Sequence, residues 1–124
     1  IPIFVQRTLD GAPITIHGDG LQTRDFVHVD NVVSANLLAS RAEGAAGHVF
    51  NIGSGVQTSI LELTQRIAEV VGSPTHVAHS EARSGDVRHS VADISLAQTT
   101  LGFAPTVDLM SGLERTITWQ REQP

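Results

Sequence analysis

Arg24 and Arg83 are the residues whose type and setting most directly suggest chemistry. Arg24 follows a glycine-rich turn in Gly18-Asp19-Gly20-Leu21-Gln22-Thr23-Arg24-Asp25-Phe26, and Arg83 opens Arg83-Ser84-Gly85-Asp86. A planar guanidinium donates paired hydrogen bonds to phosphate oxygens, so two of them can clamp a diphosphate while a nearby carboxylate accepts from ribose hydroxyls. The competing reading is surface ion pairing, Arg24 with Asp25 and Arg83 with Asp86.

Other chemistries are excluded by what the chain lacks. Lys, Tyr and Cys are absent, and all 8 basic residues are Arg. A P-loop lysine, a Schiff-base lysine, a cysteine nucleophile, a zinc-thiolate site, a disulfide framework and a tyrosine acid are therefore impossible. The 6 histidines do not have metal-site spacing. His76 and His79 are three apart on an expected strand, which points them to opposite faces, and no His-Glu-x-x-His pattern occurs. Asn51-Ile52-Gly53-Ser54-Gly55 has isoleucine where a nucleophile elbow needs glycine. The same Gly53-Ser54-Gly55 resembles a phosphate-binding turn, but its third glycine position is Thr58, so a plain turn into a helix is the better account.

These residues must be positioned by a chain of 124 residues, enough for one domain, with a formal charge of -5. Scattered arginines in an acidic chain argue against nucleic acid as a partner, and no apolar run approaches the length of a membrane span. No signal-peptide pattern is seen at the start; the expected location is the cytoplasm. A chain opening on Ile1 rather than Met reads as part of a longer one.

Ile3 to Leu9 is expected to be a last helical turn, with strands at Ile14–His17, Phe26–Val29, His48–Ile52 and Thr75–Ala78. Asp30 is expected to cap a helix to about Ala42 with Val33, Leu37 and Leu38 inward. Ser59 and Glu62 have capping-box spacing ahead of Ile60, Leu63, Ile67 and Val71, and Gly72 supplies the stop. Asp93 and Asp108 are expected to cap two more helices, Ile94–Leu101 and one that turns Leu109, Leu113, Ile117 and Trp119 inward. About four short strands and four helices make an α/β unit of mixed α+β character.

The stretch from Ile14 to Asp30 resembles the strand-turn-strand of the extended short-chain dehydrogenase/reductase family, nearest to NAD-dependent nucleotide-sugar epimerases of the UDP-glucose 4-epimerase type. Phe50-Asn51-Ile52-Gly53-Ser54-Gly55, Arg83-Ser84-Gly85-Asp86 and Ala92 to Ala97 running on to Leu101-Gly102-Phe103-Ala104-Pro105 follow in the same order, and Gly112 to Trp119 fits the final helix. The resemblance implies a Rossmann-type parent whose C-terminal, nucleotide-sugar-binding lobe is residues 1–124. It implies that the NAD-binding domain, with its glycine turn and Tyr-x-x-x-Lys dyad, lies outside this chain. NAD is then the parent's cofactor, a UDP-sugar its substrate, and the chain alone is not expected to be active.

Carried over by motif, Arg24 and Arg83 would grip the diphosphate and Asp86 the ribose. His17 would lie against the uracil with Thr15 near it through its backbone, and Ile60 would pack close to the nucleotide. Catalytic, cofactor and metal residues are not expected here. A 4,6-dehydratase or UDP-glucuronate decarboxylase would share these motifs, and a non-catalytic binding or assembly module is the reading from another class. Removing the rest of the parent would uncover apolar surface, so homo-oligomerisation or element swapping is expected.

Overall fold

The computed structural model describes residues 1–123. Five helices and four short strands follow one another as α1 (Pro2–Leu9), β1 (Ile14–His17), β2 (Thr23–Arg24), α2 (Val29–Ala39), β3 (Thr58–Ser59), α3 (Ile60–Val71), β4 (Val77–Ser80), α4 (Ser95–Leu101) and α5 (Leu109–Arg121). This is the expected mixed α/β unit, with one more helix because the opening turn is a full two turns of α1. Pro2 at its first position suits that start, where the missing N–H has no partner to lose.

The strands form two separate ribbons. β1 and β4 are parallel, from Ile14 opposite Val77 to His17 opposite Ser80. β2 and β3 are antiparallel, with Arg24 opposite Thr58. Alternation on β1 buries Ile14 and Ile16 and leaves Thr15 and His17 on the other face.

Two apolar clusters support these ribbons. Val5 of α1, Leu63 and Ile67 of α3, and Leu113 and Ile117 of α5 form one. Ala35 of α2, Ile94, Ala97 and Leu101 around α4, and Phe103 form the other. Asn31 ties α2 to the segment before α5. It is fully buried, its Nδ2 donates to the Val107 carbonyl at 2.8 Å, and its Oδ1 accepts from the Thr106 and Val107 amides at 2.9 and 3.0 Å.

Most helix signals hold. The Ser59 hydroxyl accepts from the Glu62 amide at 3.1 Å, and Gly72 and Gly102 end α3 and α4 in the left-handed region, where a side chain would be strained. Asp108 caps α5 through the Ser111 amide at 2.8 Å. Asp93 is not the cap of α4: the helix begins at Ser95, one residue later than expected, its N-cap is Ile94 without a side-chain cap bond, and Asp93 accepts from the Ser95 amide at 3.0 Å from one residue further out.

The strand expectations fail in three places. Phe26–Val29 is not a strand. Val29 opens α2, and the cap is His28, whose Nδ1 accepts from the Asp30 amide, rather than Asp30. Asp30 instead pairs with Arg115 at 2.7 Å from the first turn, and α2 ends at Ala39 rather than Ala42. His48–Ile52 has no ladder partner among the described residues, although Phe50 and Ile52 still pack on the second cluster. β4 is shifted by two residues from the expected Thr75–Ala78, in register with β1.

The apolar faces also differ. α2 packs through Asn31, Ala35 and Leu38, which turns Val33 and Leu37 outward at 50% and 52% exposure. Trp119 is 61% exposed, since α5 packs through Leu113 and Ile117, four residues apart, with Leu109 at the edge. Among the described residues no helix is long and apolar enough to cross a membrane, and no group of His, Asp and Glu is arranged to hold a metal.

Replacing Asn31 with Ala is expected to destabilise the chain by about 3 kcal/mol, because buried amides and a carbonyl lose their partner. Urea unfolding at neutral pH measures this, with Trp119→Ala, a surface change expected to cost under about 0.5 kcal/mol, as the control.

Candidate functional site

The free face of β1 is the floor of a cleft of about 390 Å³. Five of the six residues expected from sequence line it: Thr15, His17, Ile60, Arg83 and Asp86. The sixth, Arg24, stands behind Asp86 and donates to its Oδ1 at 2.5 Å. Ile60 is held at the head of α3 by its amide, which donates to the Gln22 carbonyl at 3.1 Å. Thr15 sits opposite Ala78 in the ladder, its side chain on the same side as that of His17.

Neither of the ion pairs weighed from sequence forms. Arg24 pairs with Asp86, 62 residues away, and Arg83 meets no carboxylate among the described residues. One arm of Arg83 instead lies 3.0 Å from Nε2 of His17, whose Nδ1 lies 2.8 Å from the Ser80 hydroxyl.

Asp25 turns the other way from Arg24. Its Oδ1 accepts from the amide and hydroxyl of Ser54 at 2.7 and 2.6 Å, and its Oδ2 from the amides of Gly55 and Ala92 at 3.0 and 3.2 Å. Burial is the largest single influence and would raise its pKa. The Ser54 hydroxyl and the amides of Ser54, Ala92 and Gly55 together outweigh it, so the carboxyl titrates below its ordinary value.

This geometry settles what Gly53-Ser54-Gly55 does. A Cβ on Gly53 would collide with the Asp25 carboxylate and lie 2.6 Å from Ala92, so only glycine allows the approach. The turn does cradle an anion, but the anion is the chain's own carboxylate. The Ser54 and Gly55 amides are therefore not available to a cofactor pyrophosphate, and this turn does not fit that part of NAD.

The exposed loop carrying Arg83 and Asp86 is anchored just beyond them. Arg88 makes two bonds of 2.7 Å to Asp19, and Thr23 exchanges backbone bonds with Arg88 and Ser90. The Arg88 guanidinium, helped by the Leu21 amide, holds the Asp19 carboxyl at about 2.

The sequence reading missed Asp19 and Arg88, and it missed Asp25 as an anchor. It also missed Phe4, Arg7 and Gln22 in the cleft wall. Gly18-Asp19-Gly20 was legible as a turn, but no local signal links it to Arg88. Arg7 lies on the expected opening helix, and only tertiary packing brings it to the cleft. Arg7, like Arg83, has no carboxylate partner among the described residues.

Residues 1–53 match the family described as NAD dependent epimerase/dehydratase. The chain is 40% identical over 120 residues to a dTDP-glucose 4,6-dehydratase of Streptomyces griseus, covering 96% of this chain and 36% of that protein. It is 40% identical over 123 residues to a UDP-glucose 4-epimerase of Mycolicibacterium smegmatis, covering 99% of this chain and 39% of that one. The crystal structure of Thermotoga maritima UDP-glucose 4-epimerase with UDP-glucose superposes with a TM-score of 0.90 at 40% identity, over 97% of this chain and 38% of that one. Over residues 1–53 the chain is similar to the NAD dependent epimerase/dehydratase family, and over nearly all of its own length to these epimerases and dehydratases. It spans under two-fifths of the length of these relatives. The expected resemblance to extended short-chain dehydrogenase/reductases is thereby confirmed.

Asp25 gives this framework an acid limit. Its folded-state pKa is lowered, so its stabilising contribution is present above the ordinary carboxylate range and is lost as pH falls from about 4 toward the lower folded value. Asp25→Asn should be less stable than the parent at neutral pH and should show a flatter loss of stability below about pH 4. Urea midpoints measured across that range decide it; parallel curves would remove Asp25 as an anchor.

Proposed function

We propose that this chain is the substrate-binding lobe of an NAD-dependent nucleotide-sugar enzyme, and that its cleft holds the nucleotide diphosphate of a UDP-sugar. The observation that carries this reading is the charge of the cleft. In a chain of formal charge -5, Arg7 and Arg83 face one cleft whose single lining carboxylate, Asp86, is already matched by Arg24. An anion with several acceptor oxygens satisfies those guanidiniums. The volume falls within the range of small-molecule sites.

Arg83 and Arg24 are the diphosphate ligands in this reading, and Asp86 the ribose acceptor. Binding then asks Arg24 to share its bond to Asp86 between that carboxylate and a phosphate. Thr15, His17 and Ile60 form the wall against the base. Support for the nucleotide comes from the T. maritima relative, which is described as a complex with UDP-glucose.

The full protein would invert C4 of the sugar by oxidation, rotation of the keto sugar and re-reduction. NAD supplies the hydride acceptor for such chemistry when bound. This chain contributes substrate binding and orientation. Its lack of Tyr and Lys leaves it without the dyad that moves the proton in that family, and that dyad and the NAD site belong to sequence outside these residues. A 4,6-dehydratase remains the second reading, favoured by the Streptomyces relative at equal identity.

Calorimetry with UDP at neutral pH tests the cleft. Weak binding is expected, with Arg83→Ala and Arg24→Ala each reducing affinity by about tenfold or more, the worth of one charge-assisted contact. Equal affinity in parent and variants would remove these arginines from the clamp.

The same reading accounts for the apolar surface left open, Val29, Val33 and Leu37 along α2 and Val49 at 88% exposure. Uncovered, this surface favours association of copies. Light scattering across a concentration series should show a mass above that of one chain; a constant monomer mass would overturn the expectation.

A further inference from the structure

The imidazole of His17 and the guanidinium of Arg83 meet in a way that fixes both. A guanidinium has only donors, so the 3.0 Å contact to Nε2 of His17 requires that nitrogen to offer its lone pair. The imidazole is then neutral and carries its proton on Nδ1, which donates to the Ser80 hydroxyl at 2.8 Å. Ser80 is set opposite His17 by the parallel register of β1 and β4, so the strand pairing selects the tautomer.

Resting on the proposed cleft, we infer that His17 is a positioning residue for Arg83, and that protonation at Nε2 releases the guanidinium and weakens anion binding. The loop from Glu81 to Ser90 is exposed throughout, and Arg83 has no other partner among the described residues. A proton on Nε2 converts an acceptor into a donor and places two cations in contact, so the arm swings out. The cleft then loses its aimed guanidinium although the charge count has risen.

The surrounding groups do not reproduce this behaviour. His79, on β4, lies with Nδ1 2.8 Å from the Gly18 carbonyl, a bond that needs a donor and survives protonation. Arg7 and Arg24 stay charged, Asp86 is paired with Arg24, and Asp19 is paired with Arg88. Among the cleft groups, His17 is the one whose hydrogen-bonding role reverses when it takes up a proton.

UDP-glucose is the suitable probe, because its doubly esterified diphosphate keeps its charge on mild acidification, unlike a terminal phosphate. Its dissociation constant for the 124-residue chain is expected to rise at least about fivefold on going from about pH 7.5 to 5.5. His17→Gln, whose amide oxygen can accept from Arg83 at either pH, should bring that ratio close to one. His17→Phe keeps a ring but no acceptor, and should bind more weakly than the parent at the higher pH. Affinity that is flat or rises on acidification, or a His17→Phe chain that binds as well as the parent, would overturn the proposal. Nitrogen-15 NMR of the imidazole reads the tautomer without any ligand. The Nδ1–H form should dominate and should give way to a mixture in Arg83→Ala. The opposite tautomer, or no response to that substitution, rejects the positioning role, whereas a chain with that signature but no UDP-glucose binding rejects the cleft assignment.

Discussion

The Asp25 carboxylate is the constraint on which the site depends. Its two oxygens take donors from residues 54, 55 and 92, so one side chain joins three segments that are far apart in sequence. Successive residues of an extended chain point to opposite sides. With Asp25 committed inward, Arg24 is turned outward to Asp86, and its neighbour Thr23 bonds the backbone of the loop that carries Arg83. The requirement for glycine at position 53 follows from the same contact, since a Cβ there would meet the carboxylate. A motif that looks like a cofactor cradle is thus an internal brace.

What the sequence made legible, and what it did not, divides by range. Ser59, Gly72, Gly102 and Asp108 act within a turn of where they stand, and each caps or ends a helix as its type dictates. Residues 15, 17, 60, 83 and 86, singled out from motifs scattered along the sequence, line one cleft. Pairings over tens of residues were not legible. Adjacent charges suggested Arg24 with Asp25 and Arg83 with Asp86, whereas each of the two arginines found its partner more than sixty residues away.

The strand errors have a related cause. A run such as Phe26–Val29 or His48–Ile52 has the apolar pattern of a strand, but a strand exists only with a neighbour to accept its hydrogen bonds. Neither run has such a neighbour among the described residues. α2 was read by counting apolar residues, which favoured Val33 and Leu37. The helix packs through Asn31 instead, because a buried carboxamide satisfying two amides and a carbonyl fixes its rotation more strictly than exchangeable apolar contacts do.

The arginines show how an acidic chain keeps one cleft positive. Arg88 spends its charge on Asp19, and Arg24 divides its own between Asp86 and the Thr23 carbonyl. Arg83 is held differently, by a neutral acceptor. A carboxylate at position 17 would orient the guanidinium at least as firmly, but it would cancel the charge that attracts an anion and would itself repel phosphate. An aromatic ring without a lone pair would leave the charge intact and the arm unaimed. Neutral histidine meets both needs, orientation without neutralisation, and it does so only while the parallel pairing of β1 with β4 keeps Ser80 in place to hold the proton on Nδ1.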